Sequence, residues 1–287
     1  ECFTDPGTTF EMNTVVKREQ RHGYIFEVSA NNPKSSKPIP LKEMGRFEHE
    51  AAAVDPVSGA IYLTEDKHRS LLYRFIPNTL GKLIDGGKLQ ALSISKKPSF
   101  DTRNWQTTSM NEDEWHDVEW IDLDNVDSDV NDLRLRGFEL GASRFARGEG
   151  ICYADNSIFI TATIGGAERM GQVFEYRINR EFNKNGQGSS GHLKLLAESN
   201  HSSTLQHADN IIMSPWGDLI ICEDTFNYCG LVGISPTGKQ YVFADNAYSD
   251  SELCGVCFSP DGRTMFVNIQ NRGLTLAING SWPRIII

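Results

Sequence analysis

No run of 18 apolar residues occurs in the 287-residue chain, so the sequence encodes no apolar helix long enough to span a bilayer. Basic residues are few and scattered. Twenty-eight Lys and Arg stand against 38 Asp and Glu, a net charge of −10 with no basic stripe, which argues against nucleic acid as a partner and favours cations. Six cysteines, at positions 2, 152, 222, 229, 254 and 257, are too few for a disulfide scaffold. No G-x-S-x-G nucleophile elbow is present. Gly233–Lys239 has phosphate-loop spacing, but Gln240 replaces the required Ser or Thr, and Pro236 makes the segment a turn. His49-Glu50-Ala51-Ala52-Ala53 lacks the second His of a zincin. Cys254 and Cys257 form a lone C-x-x-C without a second pair, which reads as core packing. The opening Glu1-Cys2-Phe3-Thr4-Asp5 has neither an initiator Met nor a signal-peptide pattern, so the sequence reads as part of a longer chain.

What is present is an ordinary globular composition, 39% hydrophobic and 23% charged, able to bury a core. Large all-β domains reach this length as one unit, and residues 1–287 are expected to form a single domain. A short unit recurs: strand, Pro-containing turn ending in Gly, strand. Its copies centre on Asp55-Pro56-Val57-Ser58-Gly59, Ser214-Pro215-Trp216-Gly217, Ser235-Pro236-Thr237-Gly238 and Ser259-Pro260-Asp261-Gly262. Pro presets φ for the first turn position, and Gly supplies the positive φ that closes the turn. A fifth copy around Asp155-Asn156 lacks the Pro. Repeated hairpins with little helical periodicity predict an all-β β-propeller. Helix is expected in only a few short places, such as 189–199, and 97–114 and 123–139 read as loops inserted between blades. Trp115, Trp120 and Trp216 read as blade packing.

An acid precedes the first strand of several units. Glu50, Glu149 and Asp209 stand at matched positions, and Glu252 is displaced by two residues. Equivalent strand starts meet at one mouth of a propeller, where converging carboxylates repel unless cations neutralise them. Hard oxygen donors of this kind suit Ca²⁺, Mg²⁺ or iron(III). Arg147 lies two residues before Glu149, on the same side of an extended segment. A planar guanidinium there can clamp a phosphate-like oxyanion. A second acidic feature ends strands at Glu65-Asp66 and Glu223-Asp224, facing either the channel or the far end of the blade. His207, two residues before Asp209, reads as a structural hydrogen-bonding group.

The segments Gly45–Ala51, Arg144–Gly150, Asp209–Asp218 with Cys222-Glu223-Asp224, and Cys257–Gly262 with Phe266–Gln270 resemble the PhoX-type alkaline phosphatases, in the same order and over about 23–282. The resemblance implies a six-bladed propeller and a cluster of Fe³⁺ and Ca²⁺ in its mouth. It also implies hydrolysis of small phosphate monoesters and a periplasmic or extracellular location. It makes Glu50, Glu149 and Asp209 metal ligands, with Glu223 and Glu252 in matching segments, and Arg147 a phosphate contact. The family's iron-binding Cys stands in a Cys-Glu-Glu segment that Cys2 does not match, so the first blade is expected to lie outside this sequence and the piece alone to lack full activity. Two other functions fit an acid ring on a propeller: a calcium-dependent lactonase or phosphotriesterase-like hydrolase, and a non-catalytic binding scaffold. The Arg147-Gly148-Glu149 run favours phosphate.

Overall fold

A computed structural model describes residues 3–11, 14–29, 31, 34, 37–180, 191–226 and 228–282. Its elements are strands β1 (Gly7–Glu11), β2 (Thr14–Arg18), β3 (His49–Val54), β4 (Ile61–Glu65), β5 (Tyr73–Pro77), β6 (Gly87–Ile94), β7 (Trp115–Asp122), helix α1 (Leu133–Glu139), and strands β8 (Gly148–Ala154), β9 (Ser157–Ala162), β10 (Gln172–Arg177), β11 (Gly191–Glu198), β12 (Ala208–Met213), β13 (Leu219–Glu223), β14 (Gly230–Ile234), β15 (Gln240–Asp245), β16 (Leu253–Phe258), β17 (Thr264–Ile269) and β18 (Leu274–Asn279). The fold is the all-β, propeller-like one expected. Blades β3–β6, β8–β11 and β12–β15 have four antiparallel strands each, and β16–β18 form a three-stranded sheet. Strand β7 pairs with both β6 and β11, fusing the first two blades at their outer edges into one nine-stranded sheet. Among the described residues, no helix is long and apolar enough to cross a membrane.

Each Pro-Gly segment makes the predicted turn. Gly59, Gly217, Gly238 and Gly262 all have positive φ. Three of these turns join the first and second strands of a blade, and the Ser235–Gly238 turn joins the last two of its blade. The Asp155-Asn156 turn uses two residues with positive φ, 47° and 63°, the I′ pattern that matches strand twist.

Blade stacking follows from side-chain alternation. Along β13, Leu219 and Ile221 enter the slot toward the preceding blade, with Val173 and Ala208. Ile220 and Cys222 enter the opposite slot, with Val256 and Val267. A strand buried on both faces reads as a continuous apolar run rather than an alternating one, as all five residues of β13 show.

Two expectations from the sequence are corrected. The predicted helix over 189–199 contains β11, because alternate residues Leu193, Leu195 and Ala197 are buried and the strand pairs on both edges. Its Leu, Lys, Ala and Glu have high helix propensity, which tertiary pairing overrides. The 123–139 segment is not all loop, since it ends in α1. Asp132 and Arg136 pair there at 3.0 Å, and Gly137 lets the helix close on Leu71. The 97–114 segment is a connection without strands. Trp120 and Trp216 pack in blade clusters, whereas Trp115 is exposed beneath Arg177 and Lys194. Cys254 is half-buried and Cys257 exposed, so neither packs the core.

Candidate functional site

The mouth is assembled from one repeated backbone device. At the start of β3, β8 and β12 the register slips by one residue. His49 pairs with Glu65 and the next pair is Ala52–Leu63. Gly148–Ala162 is followed by Ile151–Ile160, and Ala208–Glu223 by Ile211–Ile221. Each slip is a β-bulge, and the first unpaired residues are Glu50, Glu149 and Asp209. A bulge re-aims a side chain that a regular ladder would hold against the neighbouring strand.

A second device brackets it. The amide leaving each second strand donates to the residue just before the first: Asp66 to Glu48 at 3.1 Å, Thr163 to Arg147 at 3.1 Å, Asp224 to His207 at 3.0 Å and Gln270 to Glu252 at 3.0 Å. By this measure Glu252 holds the place of Arg147. Counted from that bracket, Cys254, two residues on, holds the place of Glu50, Glu149 and Asp209, but it pairs with Asn268 and the fourth bulge comes one position later, at Gly255-Val256. Arg147 and His207 both have left-handed φ, 54° and 48°, costly backbone of the kind found where a site is built.

Threonines tie the acids across blades. Thr64 Oγ1 donates to the carbonyl of Glu149 at 2.5 Å, and Thr161 Oγ1 to that of Asp209 at 2.5 Å. Cys222 occupies the corresponding place on β13 and meets the backbone of Val256. The blades approach so closely that a Cβ on Gly150 would lie 2.5 Å from the Asp209 carbonyl oxygen. Only glycine fits.

The side chains form one electrostatic set. Arg147 Nε donates to Asp66 at 2.7 Å, and its Nη2 lies 2.7 Å from Glu149 Oε1. That oxygen is buried and has no aligned hydrogen bond. Burial, then Asp209 and Asp66, raises the Glu149 carboxyl against the pull of Arg147, with Glu50 adding to the rise. Burial and Asp224 push Asp209 up to about 6. Burial, Asp209 and Asp224 push Glu252 up to about 7. Burial lowers the Arg147 guanidinium, but Asp66 and Glu149 outweigh it and raise the group. The Cys254 thiol is raised by burial, Glu252 and Asp209. Among the described residues, Asp66, Glu149, Asp209, Asp224 and Glu252 thus share the Arg147 guanidinium, with Glu50 beside Glu149.

Of the residues singled out in the sequence, Glu50, Glu149, Asp209, Glu252 and Arg147 belong to this set. Glu223 does not: its carboxylate accepts the Gln206 amide at 2.8 Å and engages the Gly230 amide. Glu65 is likewise turned into its blade, accepting the Tyr73 hydroxyl at 2.9 Å. Their neighbours Asp66 and Asp224 are the acids that reach the mouth. His207 has a structural contact, its Nδ1 lying 3.3 Å from the Thr163 carbonyl. A cavity of about 320 Å³ beside Asn104, Glu112, Glu168 and Glu198 is lined by none of the mouth acids.

The donor set fits hard cations, with buried carboxylates in excess and one carboxylate oxygen without an aligned partner; the Cys254 thiol nearby is a soft donor and does not add to that fit. Among the described residues, no three His, Cys, Asp or Glu side chains are already closed to metal-holding geometry. The fit therefore rests on charge and donor type.

Fold and mouth together define a propeller-like protein whose acid-lined centre surrounds Arg147. The family model of alkaline phosphatase PhoX matches residues 3–273, and the chain belongs to that family. A comparison with curated proteins gave no match. Among solved structures, PhoX of Pseudomonas fluorescens in complex with vanadate, a transition-state analogue, superposes with a TM-score of 0.66 at 19% identity. The match covers 86% of this chain and 52% of that one, so the chain spans about half the length of that relative. A gluconolactonase of Xanthomonas campestris gives a TM-score of 0.42 at 12% identity, covering 91% of this chain and 61% of that one.

Proposed function

We propose that the protein hydrolyses phosphate monoesters at a calcium–iron(III) centre in the propeller mouth. The observation that carries this reading is the single guanidinium of Arg147, locked by Asp66 among acids from several blades, within the span that matches the family. Glu50, Glu149, Asp209 and Glu252 would hold the cations, with Asp66 and Asp224 beside them. Glu223 supports the blade behind them. When bound, the cations supply the positive charge that binds phosphoryl oxygens and offsets charge in the transition state. Arg147 binds and orients the phosphoryl group. Its Nε and Nη2 are held by carboxylates, and Nη1 has no protein partner among the described residues. The location proposed on the same resemblance is the periplasm or the exterior.

Metal analysis of the purified full-length protein, paired with a phosphomonoester assay, tests the reading. Iron together with calcium and phosphate release are expected. Calcium alone with lactone hydrolysis would favour the lactonase alternative, and no bound metal the binding scaffold.

A further inference from the structure

The lip of the mouth carries the opposite charge from its centre. Residues 67–70 run along 144–148. The Arg147 amide donates to the Lys67 carbonyl at 2.9 Å, the Phe145 amide to that of Ser70 at 2.8 Å, and the Gly148 amide to Ser70 Oγ at 3.3 Å. The 97–114 connection also borders this segment. Asp101 bridges to Arg144, the Thr102 amide donates to the Arg144 carbonyl at 3.1 Å, and Arg103 Nη1 donates to the His68 carbonyl at 3.2 Å.

Arg103 and Arg144 therefore stand on neighbouring segments, Arg144 three residues upstream of Arg147, and the charge of Arg69 also reaches Arg144. The carboxylate among them, Asp101, is engaged by Arg103 at 2.7 and 2.5 Å. Arg144 lies over the Phe138 ring at 3.6 Å, and its Nε is buried with no hydrogen-bond partner. Burial lowers its ionisation, and Arg103 and Arg69 lower it further against the pull of Asp101. Among the described residues, neither Arg69 nor Arg144 forms a side-chain ion pair. Beside them Trp105 carries Arg103 at 4.1 Å and the exposed Arg169 at 4.6 Å from its ring. In a chain of net charge −10, this concentration of cations with one carboxylate is electrostatically unfavourable until an anion fills it.

We propose that this lip binds a second phosphate group of the substrate, so that preferred esters are those whose leaving group is itself phosphorylated. The inference rests on the phosphomonoesterase reading and names its substrate class. The Arg103 guanidinium is taken up by Asp101 and the His68 carbonyl, which leaves the guanidiniums of Arg69 and Arg144 beside it for a phosphate dianion, whose three oxygens accept.

The test uses matched ligands with the full-length, metal-loaded protein: propyl phosphate, 1,3-propanediol bisphosphate and 4-phosphonooxybutanoate. The bisphosphate is expected to show a KM about tenfold below that of propyl phosphate, the size of one charge-assisted hydrogen bond. Arg69→Ala, on an exposed turn, should erase that advantage and leave kcat and KM for propyl phosphate unchanged. Arg144→Lys, which keeps the charge and loses the fork, should erase most of it. Equal KM values for the two esters, or an Arg69→Ala effect shared by both, would overturn the proposal. So would a larger gain from the carboxylate ester than from the bisphosphate. If no ester is hydrolysed, the phosphatase reading fails separately. Calorimetry still decides the lip, because tighter binding of the bisphosphate that Arg69→Ala removes supports it and equal binding rejects it.

Discussion

Arg147 is held by carboxylates before any substrate arrives, so its fork is preorganised and pays little to close on a phosphate. Arg147→Lys keeps the charge and loses the second bond. We expect a raised KM and inhibition by inorganic phosphate weakened about ten- to a hundredfold, about 1.5–3 kcal/mol. Phosphate inhibition that stays the same with metals still bound would make Arg147 only a partner of the acids. Glu149→Gln keeps the shape and removes a buried charge, and should lose metal and turnover together. The pair Glu223-Asp224 gives a sharper contrast. Asp224→Asn should lower metal content, whereas Glu223→Gln should leave it near the parent value while lowering the unfolding temperature. Metal analysis and a melt of each variant separate the two. The sequence showed two acids at this strand end and not which one turns inward. The pairing of Glu223 with Ala208 decides it, and that register is a tertiary fact.

At the scale of the elements, the bulges explain why three acids at equal distance from a turn, two of them Pro turns, were readable and the fourth blade was not. Glu50, Glu149 and Asp209 keep one spacing because their bulges keep one register. The fourth bulge shifts by one, and Cys254 enters the acid position without a sequence signature. The five turns were legible because Pro, Gly and Asp-Asn act locally. Strand β11 was not, because its partners lie 70 residues or more away on one side. The threonine ties are an element-scale prediction. Thr161→Val leaves the buried Asp209 carbonyl without that donor and should cost about 1–3 kcal/mol, with Thr161→Ser recovering most of it. Denaturant midpoints read this directly. The first Pro turn adds a pH term. Burial raises the Asp55 carboxyl, but the Arg180 fork at 2.6 and 2.8 Å, the Ser58 hydroxyl and the Val57 amide overcome it and hold the group at about 2, below its ordinary 3.8. A depressed carboxyl stabilises the fold above its unfolded value. That contribution, about 2 kcal/mol, should disappear as pH falls from about 4 through about 2. The stability gap between the parent and Asp55→Asn should close over the same window.

For the whole molecule, the outcome depends on how the blades are joined. Separate blades would meet through their apolar slots and a few side-chain ties such as those of Thr64 and Thr161. Here β7 is hydrogen-bonded to β6 on one side and β11 on the other, so two blades share one ladder of backbone bonds. The three-stranded sheet at the other end has no such link, and β18 is largely exposed. Amide protons should therefore exchange with deuterium in two populations. Those of β4, β5, β9 and β10 should exchange together and slowly, because no single blade can open without rupturing its neighbour's edge. Those of β17 and β18 should exchange early, through openings that leave the rest intact. Glu50 and Glu149 then ride on the slow unit, while Cys254 rides on the fast one. The mouth spans a seam between a rigid half and a yielding half, and the fourth sheet is the side from which the centre can breathe.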